Sequence, residues 1–434
     1  MEIYIVQPGD TIESIAIQYH ISAETLIQSN ALKRPVRLVV GQAIVITVPI
    51  QTYTVQEGDT LLRIANGFQV SVSQLLRNNP SLSTTENIYP GETIVIRYDN
   101  NKGTITTNGY AYPFIDINIL NKTLPFLTYL TVYNYQVTGE GEIISYEDDT
   151  DMLESARYFG VAPILLLTTF STQGQENYGV AISILSNEDY QNALIHNVIG
   201  LLEEKGYYGV NLAFQFIEQS NLSLYYNFLS NVYSQLHPLG YLVFITVRPA
   251  ISYQDQDITY EAVDYSVFNG MNDGIIILSY EWGYSEEPPI AKTLYIARNF
   301  LDYMVNLVPS ERVSTGINIL GYDWALPYER GVSQAYALNY DSVLDLAADV
   351  GAVIMFDEMS QAPFFTYSED VLGRTIQHIV WFKDARSINA TMDIIRGYGL
   401  QGADIWNIMY FFAEMWLVIN TQYQIIKRLP EQIT

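Results

Sequence analysis

The sequence predicts an α/β protein built as a (β/α)8 TIM barrel with a small α+β insertion, preceded by two small βααβ modules. Three observations predict this architecture. The chain has 434 residues, which suits two or three domains. Residues 1–98 contain one motif twice, and residues 105–434 alternate apolar, strand-length runs with helical stretches.

The composition excludes several classes of protein. Hydrophobic residues make up 49% of the chain, as expected for a globular protein rather than a disordered one. The formal charge is 21 − 47 = −26, which argues against a nucleic-acid partner because such a surface repels phosphate. With no cysteine and four histidines, the sequence predicts no disulfide, no metal site and no cofactor.

The beginning of the chain and its apolar runs also bear on location. Met1-Glu2-Ile3-Tyr4 is acidic where a secretory signal would be basic, and polar residues follow at once. The apolar runs are far shorter than the roughly 20 residues of a membrane span. We therefore expect a protein made in the cytoplasm without a signal peptide and without a membrane partner.

The repeated motif opens each small module. Residues 4–11 read Tyr-Ile-Val-Gln-Pro-Gly-Asp-Thr, and residues 53–60 read Tyr-Thr-Val-Gln-Glu-Gly-Asp-Thr. Gly41-Gln-Ala-Ile-Val-Ile46 later matches Gly91-Glu-Thr-Ile-Val-Ile96. The repeat predicts module one at residues 1–49 and module two at residues 50–98, with the polar segment 99–104 as a linker.

Each module is predicted to run strand, helix, helix, strand. Tyr-x-Val is a short alternating strand, and the Gly-Asp pair after it is typical of a turn. Thr11 and Thr60 are predicted to cap the first helix, and Ser22 and Ser71 the second.

This pattern resembles the LysM domain over nearly the whole of both repeats. The resemblance implies binding of N-acetylglucosamine-containing glycans, chiefly peptidoglycan and chitin, at the loops after the first strand and after the second helix. The matching positions are Gly9, Asp10, Thr11, Ile12, Asn30, Ala31, Leu32, Gly58, Asp59, Thr60, Leu61, Asn79 and Pro80. For Gly9, Asp10 and Thr11 a role in the turn and the helix cap is the stronger interpretation.

The charge is divided unevenly between the two parts. Residues 1–98 carry six basic and eight acidic groups, 6 − 8 = −2, which leaves 15 − 39 = −24 for residues 99–434. A nearly neutral module can approach an anionic glycan network that the rest of the molecule would repel.

Seven apolar runs in the second part are predicted to be barrel strands. Continuous apolar strands separated by helices indicate a parallel sheet covered on both faces. The runs are Leu127–Tyr133, Ile164–Thr169, Gly209–Phe216, Leu242–Val247, Ile275–Tyr280, Ser314–Leu320 and Ala403–Ile408. An eighth strand is expected near Ala111–Ile119 or within the 140s, and an insertion from about Gly331 to Arg386.

Several segments at predicted strand ends resemble glycoside hydrolase family 18. They are Leu278-Ser-Tyr-Glu-Trp-Gly-Tyr-Ser285, Gly321-Tyr-Asp-Trp-Ala-Leu-Pro-Tyr328, Gln361-Ala-Pro-Phe-Phe-Thr-Tyr367 and Trp381-Phe-Lys-Asp-Ala-Arg-Ser387, with Gly402 and Trp406. Together with the two LysM repeats, they resemble most closely the branch of spore cortex N-acetylglucosaminidases.

The family signature D-G-x-D-x-D-F/W-E is where the resemblance breaks down. Here it reads Tyr-Gly-Val-Asn-Leu-Ala-Phe-Gln over residues 208–215. Positions 211, 213 and 215 share one strand face and are predicted to point into the barrel mouth. The resemblance makes Asn211, Ala213 and Gln215 the catalytic positions. Gln215 stands where the family has its acid, and Ala213 where it has the aspartate that orients the substrate acetamido group.

Neither replacement can perform the family chemistry. A glutamine amide donates hydrogen bonds but has no titratable proton for general acid catalysis. The sequence therefore predicts an inactive barrel.

Other positions of the cleft still suit a sugar. The resemblance assigns Tyr280 to the acetamido oxygen and Trp406 to the floor of the reactive subsite. Further candidate binding residues are Glu281, Trp282, Tyr322 and Trp324. With 35 tyrosines in the chain, packing is the competing explanation for most aromatic residues.

Three functions stay open from the sequence. The first is a peptidoglycan-binding pseudoenzyme of the spore cortex or coat in an endospore-forming bacterium. The second is an N-acetylglucosaminidase whose catalytic pair has been altered for study or replaced by another arrangement. The third is a structural scaffold in contact with other spore coat proteins.

Overall fold

A computed structural model describes residues 1–84, 88–169, 177–214, 217–248, 251–254, 257–278, 293–329 and 332–433. Within these ranges the protein consists of two βααβ modules, a closed barrel and an antiparallel insertion.

The two modules have the predicted order of elements. Module one pairs strands Glu2–Ile5 and Ala43–Ile46 and carries helices Ile12–Gln18 and Ala23–Ser29. Module two pairs Gln51–Thr54 with Thr93–Arg97 and carries Leu61–Phe68, Val72–Asn78 and the 3-10 turn Pro80–Thr84. The predicted caps are confirmed, because Thr11, Ser22, Thr60 and Ser71 each accept a hydrogen bond from a backbone N–H of the first helical turn.

Eight parallel strands form the barrel, and the last pairs with the first to close it, as predicted. In chain order they are β1 (Thr104–Ala111), β2 (Tyr129–Val137), β3 (Ala162–Thr168), β4 (Gly209–Ala213), β5 (Leu242–Val247), β6 (Gly274–Ile277), β7 (Val313–Asn318) and β8 (Gly402–Trp406).

Helices cover the outside of the barrel. They are Ile117–Thr123, Thr150–Tyr158, Tyr178–Ser186, Glu188–Lys205, Leu222–Leu236, Thr293–Met304, Ala385–Tyr398 and Ala413–Asn420. Short strands Ile143–Ser145 and Gln424–Ile425 extend the sheet beside β2 and β1, and Ile251–Gln254 pairs with Asp257–Tyr260 after β5. Short 3-10 turns lie at Leu124–Phe126, His237–Leu239, Tyr265–Phe268 and Ser310–Arg312.

The eighth strand lies earlier than predicted. It is β1, Thr104–Ala111, which meets the expected segment Ala111–Ile119 only at Ala111 and is far from the 140s. Its sequence, Thr-Ile-Thr-Thr-Asn-Gly-Tyr-Ala, has no apolar run because several of its side chains face a polar layer inside the barrel. The segment predicted as a linker therefore ends in a strand, and its Lys102 N–H donates to the Gln422 carbonyl on the barrel.

The insertion begins earlier than predicted. Its five-stranded antiparallel sheet starts at Gly321 instead of near Gly331, and its last strand ends at Trp381. The strands are Gly321–Leu326, Tyr336–Leu338, Met355–Asp357, Ala362–Val371 and Arg374–Trp381, and helix Tyr340–Asp349 packs with them.

Both modules are packed against the barrel. In module one, Lys33 pairs with Asp341 at 3.2 Å and Arg37 with Asp349 at 2.6 Å, both on the insertion helix. In module two, buried Arg77 donates to the Pro125 carbonyl at 3.1 Å. The helices Ala385–Tyr398 and Ala413–Asn420 contact module one, so the modules lie against the barrel wall.

The helices can be compared with the length and apolarity that a membrane span requires. Within the residues that the structure describes, none is both long enough and apolar enough to cross a bilayer.

Candidate active-site cleft and glycan-binding loops

Asn211 lies on the inward face of β4 and is fully buried. Its side-chain amide donates to the Tyr110 hydroxyl at 3.0 Å, and its oxygen accepts from the Thr246 hydroxyl at 2.8 Å. Strands β1 and β4 are not neighbours, so the bond to Tyr110 crosses the barrel interior. The amide suits this position because it both donates and accepts, whereas a carboxylate would only accept.

Ala213 ends β4 one layer closer to the mouth and is buried. It packs in one cluster with Tyr110 and Leu166, against the partly buried rings of Tyr133 and Trp406. The inward direction predicted for positions 211 and 213 matches these contacts. The strand ends at Ala213, so strand alternation cannot be extended from it to position 215.

Trp406 ends β8 and lies among three tyrosine rings at the mouth. Its ring centroid is 5.6 Å from that of Tyr110, 6.0 Å from Tyr133 and 6.2 Å from Tyr112. A cis peptide bond joins Trp406 to Asn407. The side chain is only partly buried, so the indole can offer surface to a ligand in the cleft beside Ala213.

A polar layer lies below this aromatic cluster. Buried Asn108 donates to Asp404 Oδ1 at 2.9 Å and accepts from the Thr131 hydroxyl at 2.9 Å. Burial raises the pKa of the Asp404 carboxyl from 3.8 to about 6, although hydrogen bonds from Ser314 and Asn108 oppose the rise. Asp404 is 3% exposed and lies two residues before Trp406, so it is placed to support the cleft from beneath.

Four predicted cleft residues fall outside the described residues. They are Gln215, Tyr280, Glu281 and Trp282. Their assigned roles stay predictions.

The two insertion aromatics differ in their surroundings. Trp324 is fully buried in the insertion sheet, where its ring meets Tyr328 edge-on at 5.4 Å. It therefore has no exposed face for a sugar, which corrects its assignment as a stacking residue. Tyr322 is partly buried and its hydroxyl accepts from Asn318 at the end of β7, at 2.9 Å, so it lies at the barrel rim.

Three tyrosines of the cleft were not predicted from the sequence. Tyr110 and Tyr112 belong to β1 and the loop after it, the strand that lacked an apolar run. Tyr133 lay within a predicted strand and gave no signal to separate it from packing residues. Alternation along a correctly placed β1 could have identified Tyr110.

The repeat motif residues build the LysM turns. Asp10 accepts from the Tyr4 hydroxyl and the Gln7 N–H, both at 2.7 Å. Asp59 repeats this arrangement with Tyr53 and Gln56 at 2.8 Å, and these hydrogen bonds lower the pKa of its carboxyl. Gly9 and Gly58 adopt positive φ of 89° and 81° in the turns before these helices, a conformation that favours glycine.

The two asparagines join the second helix of each module to its returning strand. Asn30 is 2% exposed, accepts from Val45 N–H at 2.8 Å and donates to the Val45 carbonyl at 3.0 Å. Asn79 makes the same pair of bonds with Val95, both at 2.8 Å. These side chains hold the module together, so any glycan contact at positions 30 and 79 must come from the backbone.

The remaining predicted LysM positions differ in exposure. Ile12 is buried, Leu32, Leu61 and Pro80 are partly buried, and Ala31 is exposed with a left-handed φ of 48°. At the loop after the second helix of module one, a ligand would therefore meet Ala31 and the partly buried Leu32.

The described tyrosines of the cleft supply aromatic surface and do not supply an acid. Burial raises the pKa of the Tyr110 and Tyr133 hydroxyls above their ordinary value, so neither is an acid near neutral pH. Among the residues with assigned positions, no group of three or more histidine or carboxylate side chains could hold a metal ion.

Comparison with known proteins identifies the class of this fold and cleft. The model for glycosyl hydrolases family 18 matches residues 93–410, and the LysM domain model matches residues 4–47 and 53–97. The chain belongs to glycosyl hydrolases family 18 and carries two LysM domains.

Its relatives share the complete layout. The cortical fragment-lytic enzyme of Bacillus subtilis (strain 168) is 31% identical over 435 aligned residues, covering 99% of each chain. The crystal structure of the spore cortex-lytic enzyme SleL of Bacillus megaterium QM B1551 is 30% identical with a TM-score of 0.79, covering 98% of this chain and 99% of that one. The Bacillus cereus SleL structure is 28% identical, also with a TM-score of 0.79 and the same coverage.

Proposed function

We propose that this chain binds N-acetylglucosamine-containing glycan, such as spore cortex peptidoglycan, without hydrolysing it. The observation that carries this proposal is Ala213, which lies beside Trp406 at the mouth of the barrel and has no carboxyl group. Position 215, where the family signature has its acid, is a glutamine.

The family chemistry needs both missing groups. In substrate-assisted hydrolysis the acetamido carbonyl of the sugar attacks the anomeric carbon while an acid protonates the leaving oxygen. Loss of a general acid alone typically slows a reaction by about 10²–10⁴-fold. Losing the group at position 213 as well removes the orientation of the acetamido nucleophile.

Binding surfaces are retained although the reactive groups are gone. Trp406 presents a partly exposed indole among three tyrosines, an arrangement suited to the apolar face of a pyranose ring. The nearly neutral LysM domains supply a second means of attachment to the same class of polymer.

The names of the relatives indicate a cellular location for the glycan. Two of the similar structures carry the name spore cortex-lytic enzyme. We infer that this chain acts at the cortex or coat of an endospore, where spore coat proteins are further possible partners.

An N-acetylglucosaminidase is the second candidate. The full-length similarity to a cortical fragment-lytic enzyme favours it. Activity would require another proton donor in place of residue 215, with Glu281 as one carboxyl in a matching segment.

Calorimetry with a soluble N-acetylglucosamine oligomer tests the binding proposal. Trp406→Ala should weaken binding by roughly 1–3 kcal/mol, because it removes an aromatic surface from the cleft. Trp406→Phe should retain part of the affinity, and Tyr336→Ala, a 75% exposed ring in the insertion, is the matched control. If the parent binds the oligomer and both Trp406 variants bind it with the affinity of the parent, the barrel cleft is not the binding site.

A further inference from the structure

A cavity of about 310 Å³ lies at the rim of the barrel, between the first LysM domain and the barrel loops. The loops that follow β7 and β8 supply Leu320 and Tyr410. The first LysM domain supplies Ala31, and the start of the insertion helix supplies Asp341. Its volume is at the lower end of the range of small-ligand sites.

The lining of this cavity has two chemical sides. Leu320, Tyr410 and Phe411 form an apolar and aromatic side, and Tyr410 is 47% exposed. Asp341, Glu414 and Lys122 form a polar side that can bond to hydroxyl groups. A pyranose ring has the same division, with an apolar face and a rim of hydroxyls.

Glu414 is buried beside other carboxyl groups. It is 2% exposed, and burial together with the nearby Asp341 and Asp384 carboxylates raises the pKa of its carboxyl well above the ordinary value. A neutral carboxylic acid both donates and accepts a hydrogen bond. The cavity therefore offers donors and acceptors of both signs, which suits a neutral ligand rich in hydroxyl groups.

The cavity lies between the two parts of the protein that have been assigned to glycan. Ala31 is the exposed position of the predicted LysM contact loop after the second helix, and its side chain is only a methyl group. Tyr410 is in the loop that leaves the barrel at Trp406. The preceding residue, Met409, accepts from the Tyr112 N–H at 3.5 Å, which ties this loop to the aromatic cluster of the cleft.

We propose that this cavity, the rim subsite, binds one neutral N-acetylhexosamine unit of a glycan chain shared between the first LysM domain and the barrel cleft. In this arrangement the barrel completes the binding surface of the LysM domain. The inference rests on the proposed function, since it assigns a further sugar unit to the same glycan.

Calorimetry with oligomers of two to six N-acetylglucosamine units tests the rim subsite on the full chain. The parent should bind longer oligomers more tightly, because an oligomer that occupies both the cleft and the rim subsite gains the contacts of both. Tyr410→Ala should weaken binding of the hexamer by about threefold to tenfold, the loss expected for one aromatic contact, and leave the dimer unaffected. Tyr226→Ala is the matched control, since Tyr226 is 42% exposed on helix Leu222–Leu236.

A second pair of variants examines the polar side. Glu414→Gln retains a donor and an acceptor and should bind the hexamer like the parent, whereas Glu414→Leu should lose affinity to a similar degree as Tyr410→Ala. Thermal unfolding of each variant verifies that it is folded.

A parent that binds no oligomer contradicts the proposed function itself. A parent that binds, with folded Tyr410→Ala and Glu414→Leu variants of unchanged hexamer affinity, contradicts only the rim subsite.

Discussion

Asp404 is a carboxyl group inside the barrel whose protonation is coupled to folding. Its pKa of about 6 in the folded chain lies above the ordinary 3.8, so the folded state holds the proton more tightly than the unfolded state. Its contribution to stability is complete below pH 3.8 and is lost as the pH rises through about 6. At neutral pH the buried charge is a cost to the folded state.

We predict that Asp404→Asn stabilises the protein at pH 7–8 and has little effect near pH 4. The gain should reach at most about 3 kcal/mol, the value of a shift of this size. Asparagine keeps an oxygen that can accept from Asn108. Denaturant unfolding of parent and variant across this pH range measures the difference. A destabilised variant at pH 8 would show that the carboxylate is compensated by interactions that the structure does not contain.

The exposed Glu204 provides the control for this comparison. Glu204→Gln removes one carboxyl from the surface helix Glu188–Lys205. Its unfolding at each pH measures the effect of removing one surface carboxyl group.

At the level of single residues, the sequence predicted which strands carry the cleft residues but not all of the contacts that these and other motif residues make. Asn211, Ala213 and Trp406 lie where the motif spacing predicted. The asparagines 30 and 79 carry structural hydrogen bonds that no spacing rule distinguishes from ligand contacts. Burial of Trp324 likewise follows from the insertion sheet, which depends on contacts distant in sequence.

Among the elements, the two LysM domains are alike in sequence but differ in their contacts with the barrel. Gly41 and Gly91 occupy equivalent positions with φ of 86° and 93°. A Cβ atom at Gly91 would meet nothing within 4 Å, whereas one at Gly41 would overlap the carbonyl oxygen of Ile354 in the insertion. The first domain therefore approaches the insertion so closely that only glycine fits.

We predict that Gly41→Ala destabilises the protein by roughly 1–3 kcal/mol more than Gly91→Ala, because overpacking forces the backbone to shift. Both changes carry the same backbone strain at positive φ, so their difference isolates the contact with Ile354. Thermal unfolding measures the difference, and hydrogen exchange at Ile354 N–H, which donates to the Val40 carbonyl at 2.9 Å, reports the local loosening. Equal effects of the two substitutions would contradict this close contact.

The elements that the sequence predicted well are those with a repeated motif or an apolar run. The LysM helices and seven barrel strands fall into this group. Strand β1 was missed because its inward side chains include Asn108, which belongs to the polar layer. The start of the insertion at Gly321 was missed because its first strand follows β7 with almost no intervening turn.

The whole molecule combines two LysM domains and a family 18 barrel on one packed framework. Both LysM domains contact the barrel through hydrogen bonds and, for the first domain, ion pairs with the insertion helix. This arrangement encloses the cavity between Ala31 of the first LysM domain and Tyr410 of the barrel. The chain matches a lytic enzyme over almost its whole length, while residues 213 and 215 are alanine and glutamine and carry no carboxyl group.

Release of reducing sugar from spore cortex fragments is the measurement that tests this account most directly. The parent chain should release none above background, and the double variant Ala213→Asp with Gln215→Glu should release it at a measurable rate, because both reactive groups are then present. Turnover by the parent at a rate matching or exceeding that of the double variant would contradict the account and establish that this protein is a working glycosidase with a different proton donor.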